Sequence, residues 1–340
     1  MILINTGYST VTNRFFNFCA EVLEPEGYFF HKFSPDGSLG STWHPLWKDG
    51  IRELPIQEDE TALVLWALWK HFERFHDVEF IKPFYRDFII RAAEFMLAYR
   101  DEKTKLPKPS FDLWEEKHGV HTFTVSAVFA GFEAAANFAL AFGENEFAVK
   151  YRKAAQEIKD SVKKYFFHND LKRFAKAGYP VAKGGYTLDM TIDASVFSLW
   201  YFGVFSPDDP MIQTTMKAVY DRLWIKTEVG GFARYEGDTY HQVEKDIQSV
   251  PGNPWFVCTL WWAQYLIACA KTKEDLKAPL RILEWVVDHS LPSGVLAEQV
   301  HPFTHEPLSV SPLTWSHATY VLTVLDYVKR VSQMTLDDAN

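Results

Sequence analysis

Cysteine is scarce in this sequence of 340 residues, and its scarcity excludes two kinds of structural centre. Cys19, Cys258 and Cys269 are the three cysteines, and each lies in an apolar segment. They are too few for a disulfide framework, and they lack the spacing of a zinc site. We therefore expect buried thiols in a reducing compartment and a cytoplasmic location.

The sequence also lacks features of nucleic-acid-binding, secreted and membrane proteins. No run of lysine and arginine is interleaved with aromatic residues, and the net charge of −9 argues against nucleic acid as a partner. The N-terminus, MILINTGYST, has no basic start followed by an apolar core, so it is not a secretory signal. The most apolar segment, residues 254–270, is slightly short for a membrane span and has no basic flanks. We expect this segment to be a buried helix and the protein to have no membrane partner.

Motifs of several common chemistries are missing as well. Gly184-Gly185 lacks the Lys-Ser/Thr pair of a phosphate-binding loop, and no G-x-S-x-G nucleophile motif occurs. His301, His305 and His317 do not follow a one-face spacing of metal ligands. The sequence thus disfavours phosphoryl and acyl transfer, and it predicts neither a metal nor another cofactor in the chemistry.

Helical periodicity is the dominant pattern in the sequence, which predicts about ten helices and almost no alternating strands. Five strongly apolar helices are predicted near residues 59–75, 121–142, 190–203, 254–270 and 313–331. More amphipathic helices are predicted near residues 6–23, 82–100, 145–166, 208–223 and 273–290. This alternation predicts an all-α toroid of one domain, in which an outer ring of helices shields an inner ring. Loops that precede the inner helices should then gather on one face and carry the site.

The stretch FDLWEEKHGVHTFT, residues 111–124, places Trp114 before Glu115 and Glu116 at the expected start of an inner helix. A carboxyl group beside a large aromatic ring is partly desolvated, which favours its protonated form and suits it to general acid catalysis. Alternatively, the two glutamates only place negative charge in the first turn of the helix.

Two further loops carry candidate residues. The loop that begins GGFARYEGDTYH supplies Arg234, Asp238 and Tyr240, and Trp255 follows it. Bidentate donors, carboxylates and flat aromatic faces suit sugar binding, although an internal ion pair of Arg234 with Asp238 is the simpler alternative.

The last loop places Glu298 among apolar residues, and Trp315 lies near the start of the final inner helix. An isolated carboxylate there is costly unless it is paired or exposed at a cleft, so Glu298 is the natural second carboxylate. In the first loop, Trp43 is a candidate sugar contact, whereas Glu58 and Glu60 are interpreted as charges that favour the start of a helix. Two distant carboxylates among aromatic residues on one rim are typical of a glycoside hydrolase.

The motifs FDLWEE, GGFARYEGDTYH, GNPWFVCTLW, GVLAEQVHP and SPLTWSHA together resemble those of glycoside hydrolase family 15, the glucoamylases. The upstream stretches EVLEPEGYFFHKFSPDGSLGSTWHP and QEDETALVLWALWKH resemble the microbial and archaeal branch. The resemblance implies an (α/α)6 barrel that releases glucose from the non-reducing ends of α-glucans with inversion. Glucodextranase-like and trehalase-like specificities remain open, because similar relatives divide among the three.

Carried over by position, Glu115 resembles the general acid of the family and Glu298 its general base. The resemblance implies substrate-binding roles for eight further residues: Trp43, Trp114, Glu116, Arg234, Asp238, Tyr240, Trp255 and Trp315.

The sequence departs from the family pattern at its beginning. It starts after the N-terminal β-sandwich domain and after the W-P-R-D-A-like segment that opens the first inner helix. We therefore expect residues 1–340 to form a single catalytic domain with about ten of the twelve helices of the family. The alternatives are a non-catalytic glucan-binding remnant, or a chain that acts with a separately encoded N-terminal partner.

Overall fold

The protein is built mainly from α-helices. The structure is a computed structural model that describes residues 1–42, 44, 47–48, 51–52 and 54–337. Its helices within these residues are α1 (Ile2–Asn5), α2 (Ser9–Val22), α3 (Glu58–Phe75), α4 (Val78–Ile81), α5 (Arg91–Ala98), α6 (Thr122–Ala141), α7 (Asn145–Phe166), α8 (Ser198–Tyr201), α9 (Pro210–Leu223), α10 (Phe256–Cys269), α11 (Lys277–Asp288) and α12 (Thr314–Asp337). A π-helical segment (Tyr85–Ile90) leads into α5, and a 3-10 turn (Ala194–Phe197) leads into α8.

The predicted alternation of inner and outer helices is confirmed. Helix α6 is buried on nearly all sides, since it packs against both α3 and α7. Helix α7 buries one stripe, which includes Tyr151, Ile158 and Val162, and leaves its charged face outside. In the same way α10 packs between α11 and α12, and α2 packs on α3. Short helix α1 contacts both α3 and α12.

Helix α6 has the length and mean hydropathy of a membrane span, but 83% of an 18-residue apolar stretch of this helix is buried inside the protein. It is the central core helix, because its alanine-rich surface lets neighbouring helices approach closely. At Gly131, for example, an added Cβ atom would lie 3.2 Å from Ala62 of α3.

Short strands are more numerous than the sequence predicted. The described strands are β1 (Trp47–Lys48), β2 (Ile51–Arg52), β3 (Ser110–Phe111), β4 (His118–His121), β5 (Phe167–His168), β6 (Arg173–Phe174), β7 (Ala177–Pro180), β8 (Tyr186–Asp189), β9 (Phe232–Ala233), β10 (Pro254–Trp255), β11 (Gln299–Val300) and β12 (Pro307–Leu308). They form antiparallel sheets in the orders β3-β4-β7-β8 and β12-β11-β10-β9, and the pairs β1-β2 and β5-β6. With two to four residues each, these strands are too short to show the alternation by which strands are recognised in a sequence.

The helix predicted over residues 190–203 begins later than expected. Asp193 has an extended backbone, and its side chain accepts a hydrogen bond from the backbone N–H of Ser195 at 2.8 Å. This cap starts the 3-10 turn at Ala194, so the segment before it forms the end of a loop.

Candidate active site

Two small sheets bring the loops that carry the candidate site residues to one rim. In the sheet β12-β11-β10-β9, Trp255 pairs with Gln299 and with Phe232. Arg234 directly follows β9, and Glu298 directly precedes β11, so neighbouring strands place both residues beside Trp255. The gathering of these loops on one face, predicted from the parallel sense of the inner helices, is thus confirmed for this sheet.

Glu115 and Glu116 lie in a tight turn, not at a helix start as the sequence predicted. This acidic turn, residues 112–117, connects β3 to β4, and α6 begins only at Thr122. One carboxylate oxygen of Asp112 accepts hydrogen bonds from the backbone N–H groups of Glu116 and Lys117, each at 2.8 Å. The alternative of first-turn helix charges is therefore wrong, because side-chain hydrogen bonding closes a hairpin turn at this point.

Glu115 adopts an unusual backbone conformation and meets a histidine. Its φ angle of +61° lies in the left-handed region, where residues with a side chain are uncommon and often functional. Its Oε1 atom is 3.2 Å from Nε2 of His31, and 38% of its side chain is exposed. The other ring nitrogen of His31 contacts the hydroxyl of Thr42 at 2.7 Å, which fixes the ring orientation. Glu115 is therefore a half-buried carboxylate that contacts His31 and has access to solvent.

Arg234 links the acidic turn to the sugar-binding loop predicted by the sequence. Its Nε and Nη2 atoms donate to the two carboxylate oxygens of Asp238 at 2.9 and 2.8 Å, and Nη2 also donates to Glu116 at 2.5 Å. The hydroxyl of Tyr235 donates to the second oxygen of Glu116 at 2.6 Å. The internal Arg234–Asp238 ion pair, which we considered above as the simpler alternative to sugar binding, is present. Glu116 is a second carboxylate bound to the same guanidinium.

Electrostatics hold this network in its charged form. Burial lowers the pKa of Arg234, but the hydrogen bond and charge of Asp238, with Glu116, outweigh burial, and the pKa is raised. Asp238 is also held by the backbone N–H of Tyr240 at 2.9 Å. The Nη1 atom of Arg234 makes no hydrogen bond to the described residues, so it is the donor left for a ligand.

Aromatic rings surround this ion-pair network. The guanidinium carbon of Arg234 lies 5.1 Å from the ring of Trp114, 5.0 Å from that of Trp255 and 5.5 Å from that of Tyr240. Trp315 joins the group, since its ring is 6.1 Å from that of Trp114. Trp255 is almost fully buried whereas Tyr240 is 41% exposed, so Tyr240 is the member that faces solvent. The four aromatic residues predicted here thus form one cluster.

Glycine is required where this loop turns toward the cluster. Gly231 has a φ angle of +86°, and an added Cβ atom would lie 2.9 Å from both Pro254 and Trp285. A side chain at this position would therefore separate β9 from β10 and displace Arg234.

Glu298 reaches the same cluster through a serine. Its Oε2 atom accepts a short hydrogen bond from the hydroxyl of Ser309, and the Ser309 oxygen is 3.4 Å from the hydroxyl of Tyr240. Glu298 is half-buried, so the costly isolated carboxylate predicted from the sequence is relieved by partial exposure and by this hydrogen bond.

Three carboxylates at the start of α3 are more buried than expected. Glu58 and Asp59 are almost fully buried, and both oxygens of Glu58 and one oxygen of Glu60 have no hydrogen-bond partner among the described residues. Burial, with the charge of Asp59, raises the pKa of Glu58 well above its ordinary value and that of Glu60 to about 9. Glu58 and Glu60 do lie in the first turn of α3. Their interpretation as simple helix charges was incomplete, because burial favours the neutral form of both side chains.

One predicted site residue, Trp43, lies outside the described residues. Sequence reasoning missed four residues that hold the predicted ones in place: His31, Tyr235, Ser309 and Asp193. Only Tyr235 had a signal, because it is adjacent to Arg234 in the motif used above. His31 and Asp193 contact the site across 84 and 79 residues of the chain, which a single sequence does not reveal, and Ser309 lies in the same loop as Glu298 but in no motif used above.

A ring of helices with carboxylates and indole rings on one rim defines the class of carbohydrate-hydrolysing α-toroids. Residues 55–325 match the model of glycosyl hydrolases family 15, and the chain belongs to this family. The matched segment contains Glu115, Arg234 and Glu298, and thus every loop described above except the one that precedes residue 55.

Among relatives of known sequence, some are named glucoamylases and others trehalases. An uncharacterized glycosyl hydrolase of Methanocaldococcus jannaschii is 29% identical over 94% of this chain and 48% of its own length. A glucoamylase of a Clostridium species is 30% identical over 78% of this chain and 38% of its own length. Trehalase 2 of Sulfolobus acidocaldarius is 24% identical over 96% of this chain and 54% of its own length. The chain therefore spans about half the length of these relatives, or less.

Solved structures establish the fold. A bacterial glucoamylase complexed with acarbose superposes with a TM-score of 0.72 at 22% identity, over 92% of this chain and 45% of that chain. A wild-type glycosidase has the same TM-score and identity over 96% of this chain and 84% of that chain. The predicted (α/α)6 toroid architecture is confirmed by these neighbours.

Proposed function

We propose that this protein hydrolyses α-glucosidic bonds at the non-reducing end of its substrate, with inversion at the anomeric carbon. In this proposal Glu115 gives a proton to the glycosidic oxygen as the bond to the anomeric carbon breaks. Glu298 takes a proton from the water molecule whose oxygen forms the new bond. The two carboxyl groups end the reaction with exchanged protonation states, and proton exchange with solvent restores them.

The observation that carries the proposal is that Glu298 and the acidic turn, which contains Glu115, both connect to one aromatic cluster. Ser309 joins Glu298 to Tyr240, and Arg234 joins the ring of Tyr240 to Glu116 of the acidic turn. The exposed ring of Tyr240 suits the apolar face of a pyranose, and Nη1 of Arg234 suits a sugar hydroxyl. These contacts support a sugar subsite beside Glu298 and the acidic turn.

The named relatives support a substrate that contains α-linked glucose. One relative carries the name glucoamylase and another the name trehalase, so the proposal covers malto-oligosaccharides, isomalto-oligosaccharides and trehalose as substrate candidates. The choice among them depends on the contacts of the leaving sugar, on which the cluster around Arg234 places no constraint.

The proposal is tested by glucose release from maltose, isomaltose and trehalose with the purified protein. We expect turnover of at least one of them, and a loss of about 10²–10⁴-fold for Glu115→Gln, which cannot donate the proton. Glu73→Gln is the matched control, because Glu73 is an exposed partner of Lys70 at the far end of α3. This control should keep wild-type turnover.

Two outcomes would contradict the proposal. Turnover by Glu115→Gln at the wild-type rate would remove Glu115 from the role of general acid. Binding of these sugars in a calorimeter without any turnover by the wild-type protein would instead support a non-catalytic glucan-binding protein.

A further inference from the structure

A buried ion pair lies next to the acidic turn. The Nζ atom of Lys176 donates to Oδ2 of Asp193 at 3.2 Å, and their side chains are 4% and 1% exposed. The carboxylate of Asp193 also accepts from the indole Nε1 of Trp114, with its two oxygens at 3.2 and 3.1 Å. Asp193 therefore ties the start of an inner helix to the indole ring of the acidic turn.

Lys176 makes a second contact toward the same turn. Its Nζ atom lies 4.5 Å from the centre of the ring of Tyr235, whose hydroxyl donates to Glu116 at 2.6 Å. The ion pair therefore touches the acidic turn at Trp114 directly and at Glu116 through Tyr235. Among the described residues no hydrogen bond joins Asp193 to either glutamate, so its influence on them passes through these aromatic side chains.

Lys176 keeps its positive charge although it is buried. Burial lowers the pKa of Lys176, but the carboxylates of Asp193 and Asp189 outweigh burial and the pKa is raised. Buried ion pairs are weak contributors to stability, because desolvation of both charges offsets their attraction. A buried pair that holds a functional turn is thus better explained by the orientation it imposes than by the stability it adds.

We propose that Asp193, supported by Lys176, is a positioning residue that fixes Trp114 and thereby orients Glu115 and Glu116. This inference rests on the proposed function, in which Glu115 protonates the leaving oxygen. Displacement of a catalytic group by about 1 Å can cost about 10²-fold in rate, so loss of the Asp193 contacts should be visible in turnover.

The test compares two substrates with Asp193→Asn. Maltose needs a proton on its leaving oxygen, whereas α-glucosyl fluoride releases fluoride without that proton. We expect kcat for maltose to fall by about 10–100-fold, with KM little changed, and kcat for the fluoride to stay close to that of the wild type. A parallel fall for both substrates, or no fall for either, would overturn the proposal.

A matched control separates positioning from helix capping. Asp209 caps α9 as Asp193 caps the 3-10 turn, since its carboxylate accepts from the N–H of Met211 at 2.8 Å. Asp209→Asn should therefore leave both substrates unaffected. The double variant Lys176→Met/Asp193→Asn removes the uncompensated buried lysine, and it should show the same selective loss on maltose.

A second measurement does not depend on turnover. The backbone N–H groups of Glu116 and Lys117 are held by Asp112, and their hydrogen exchange reports the order of the acidic turn. Asp193→Asn should accelerate exchange in peptides that cover residues 112–117, and Asp209→Asn should not. Unchanged exchange in Asp193→Asn would contradict the positioning role. If the wild-type protein cleaved none of maltose, isomaltose, trehalose and α-glucosyl fluoride, the proposed function would fail while this exchange result would still decide the inference.

Discussion

The ion pair of Arg234 with Asp238 should be among the contacts whose loss most destabilises this protein. Both side chains are nearly inaccessible, at 5% and 1% exposure, and two hydrogen bonds join them. Asp238→Asn keeps the shape of the side chain but removes its charge, which leaves a buried guanidinium with Glu116 as its remaining anion. Breaking a buried ion pair costs about 3–5 kcal/mol, and the retained Glu116 places our expectation near the lower figure, at about 3 kcal/mol.

The assay is urea unfolding followed by tryptophan fluorescence, with Asp221→Asn as the control. Asp221 pairs with Lys217 at the same spacing of four residues, but these side chains are 56% and 72% exposed. Removal of that exposed charge should cost only about 0.3–0.5 kcal/mol. If Asp238→Asn lowered the free energy of unfolding no more than Asp221→Asn, the buried network would not be held by its charges as argued here.

Three further outcomes are expected. Burial raises the pKa of Glu60 to about 9 from its ordinary 4.5, so at intermediate pH the folded state keeps a proton that the unfolded chain loses. The contribution of protonated Glu60 to the free energy of unfolding is therefore complete below pH 4.5 and declines up to about pH 9. Urea unfolding should thus show Glu60→Gln gaining stability relative to the wild type between about pH 5 and about pH 8, and a pH-independent difference would argue against this burial. Ser309→Gly, which suits the positive φ at that position, should lower kcat/KM by about 10–100-fold because Glu298 loses a hydrogen bond to its charged form; an unchanged value would exclude an orienting role. His31→Ala should lower kcat on maltose, since it removes the described side-chain neighbour of Glu115, and it should also lower the unfolding midpoint, because the His31 side chain is only 4% exposed; a lower midpoint with unchanged kcat would make His31 purely structural.

Local patterns predicted the helices well where one element alone determines them. The bounds of α7 match the predicted residues 145–166, because its buried stripe has the helical period and its last turn carries Lys163 and Lys164. The gathering of Arg234 and Glu298 beside Trp255 followed from the alternation of helices, which fixes the face where the loops lie. Their proposed roles stay predictions, because neither fold nor family membership measures what a residue does.

Long-range contacts explain what the sequence did not reveal. The acidic turn was predicted as a helix start, because the hydrogen bond from the N–H of Glu116 to Asp112 lies between strands of two and four residues, β3 and β4, which are too short to recognise in the sequence. The contact of His31 with Glu115 joins positions 84 residues apart, and nothing near either residue indicates it. Burial of Glu58 likewise depends on packing around α3, so its acidic side chain alone suggested only a charge at the start of a helix.

The configuration of the glucose first released tests the central claim most directly. Proton NMR of the hydrolysis of an α-linked substrate, recorded before the product equilibrates, distinguishes the two anomers. If Glu115 acts as acid and Glu298 activates water on the opposite face, the initial product is β-glucose. Initial release of α-glucose would contradict the inverting mechanism and the roles of both carboxylates.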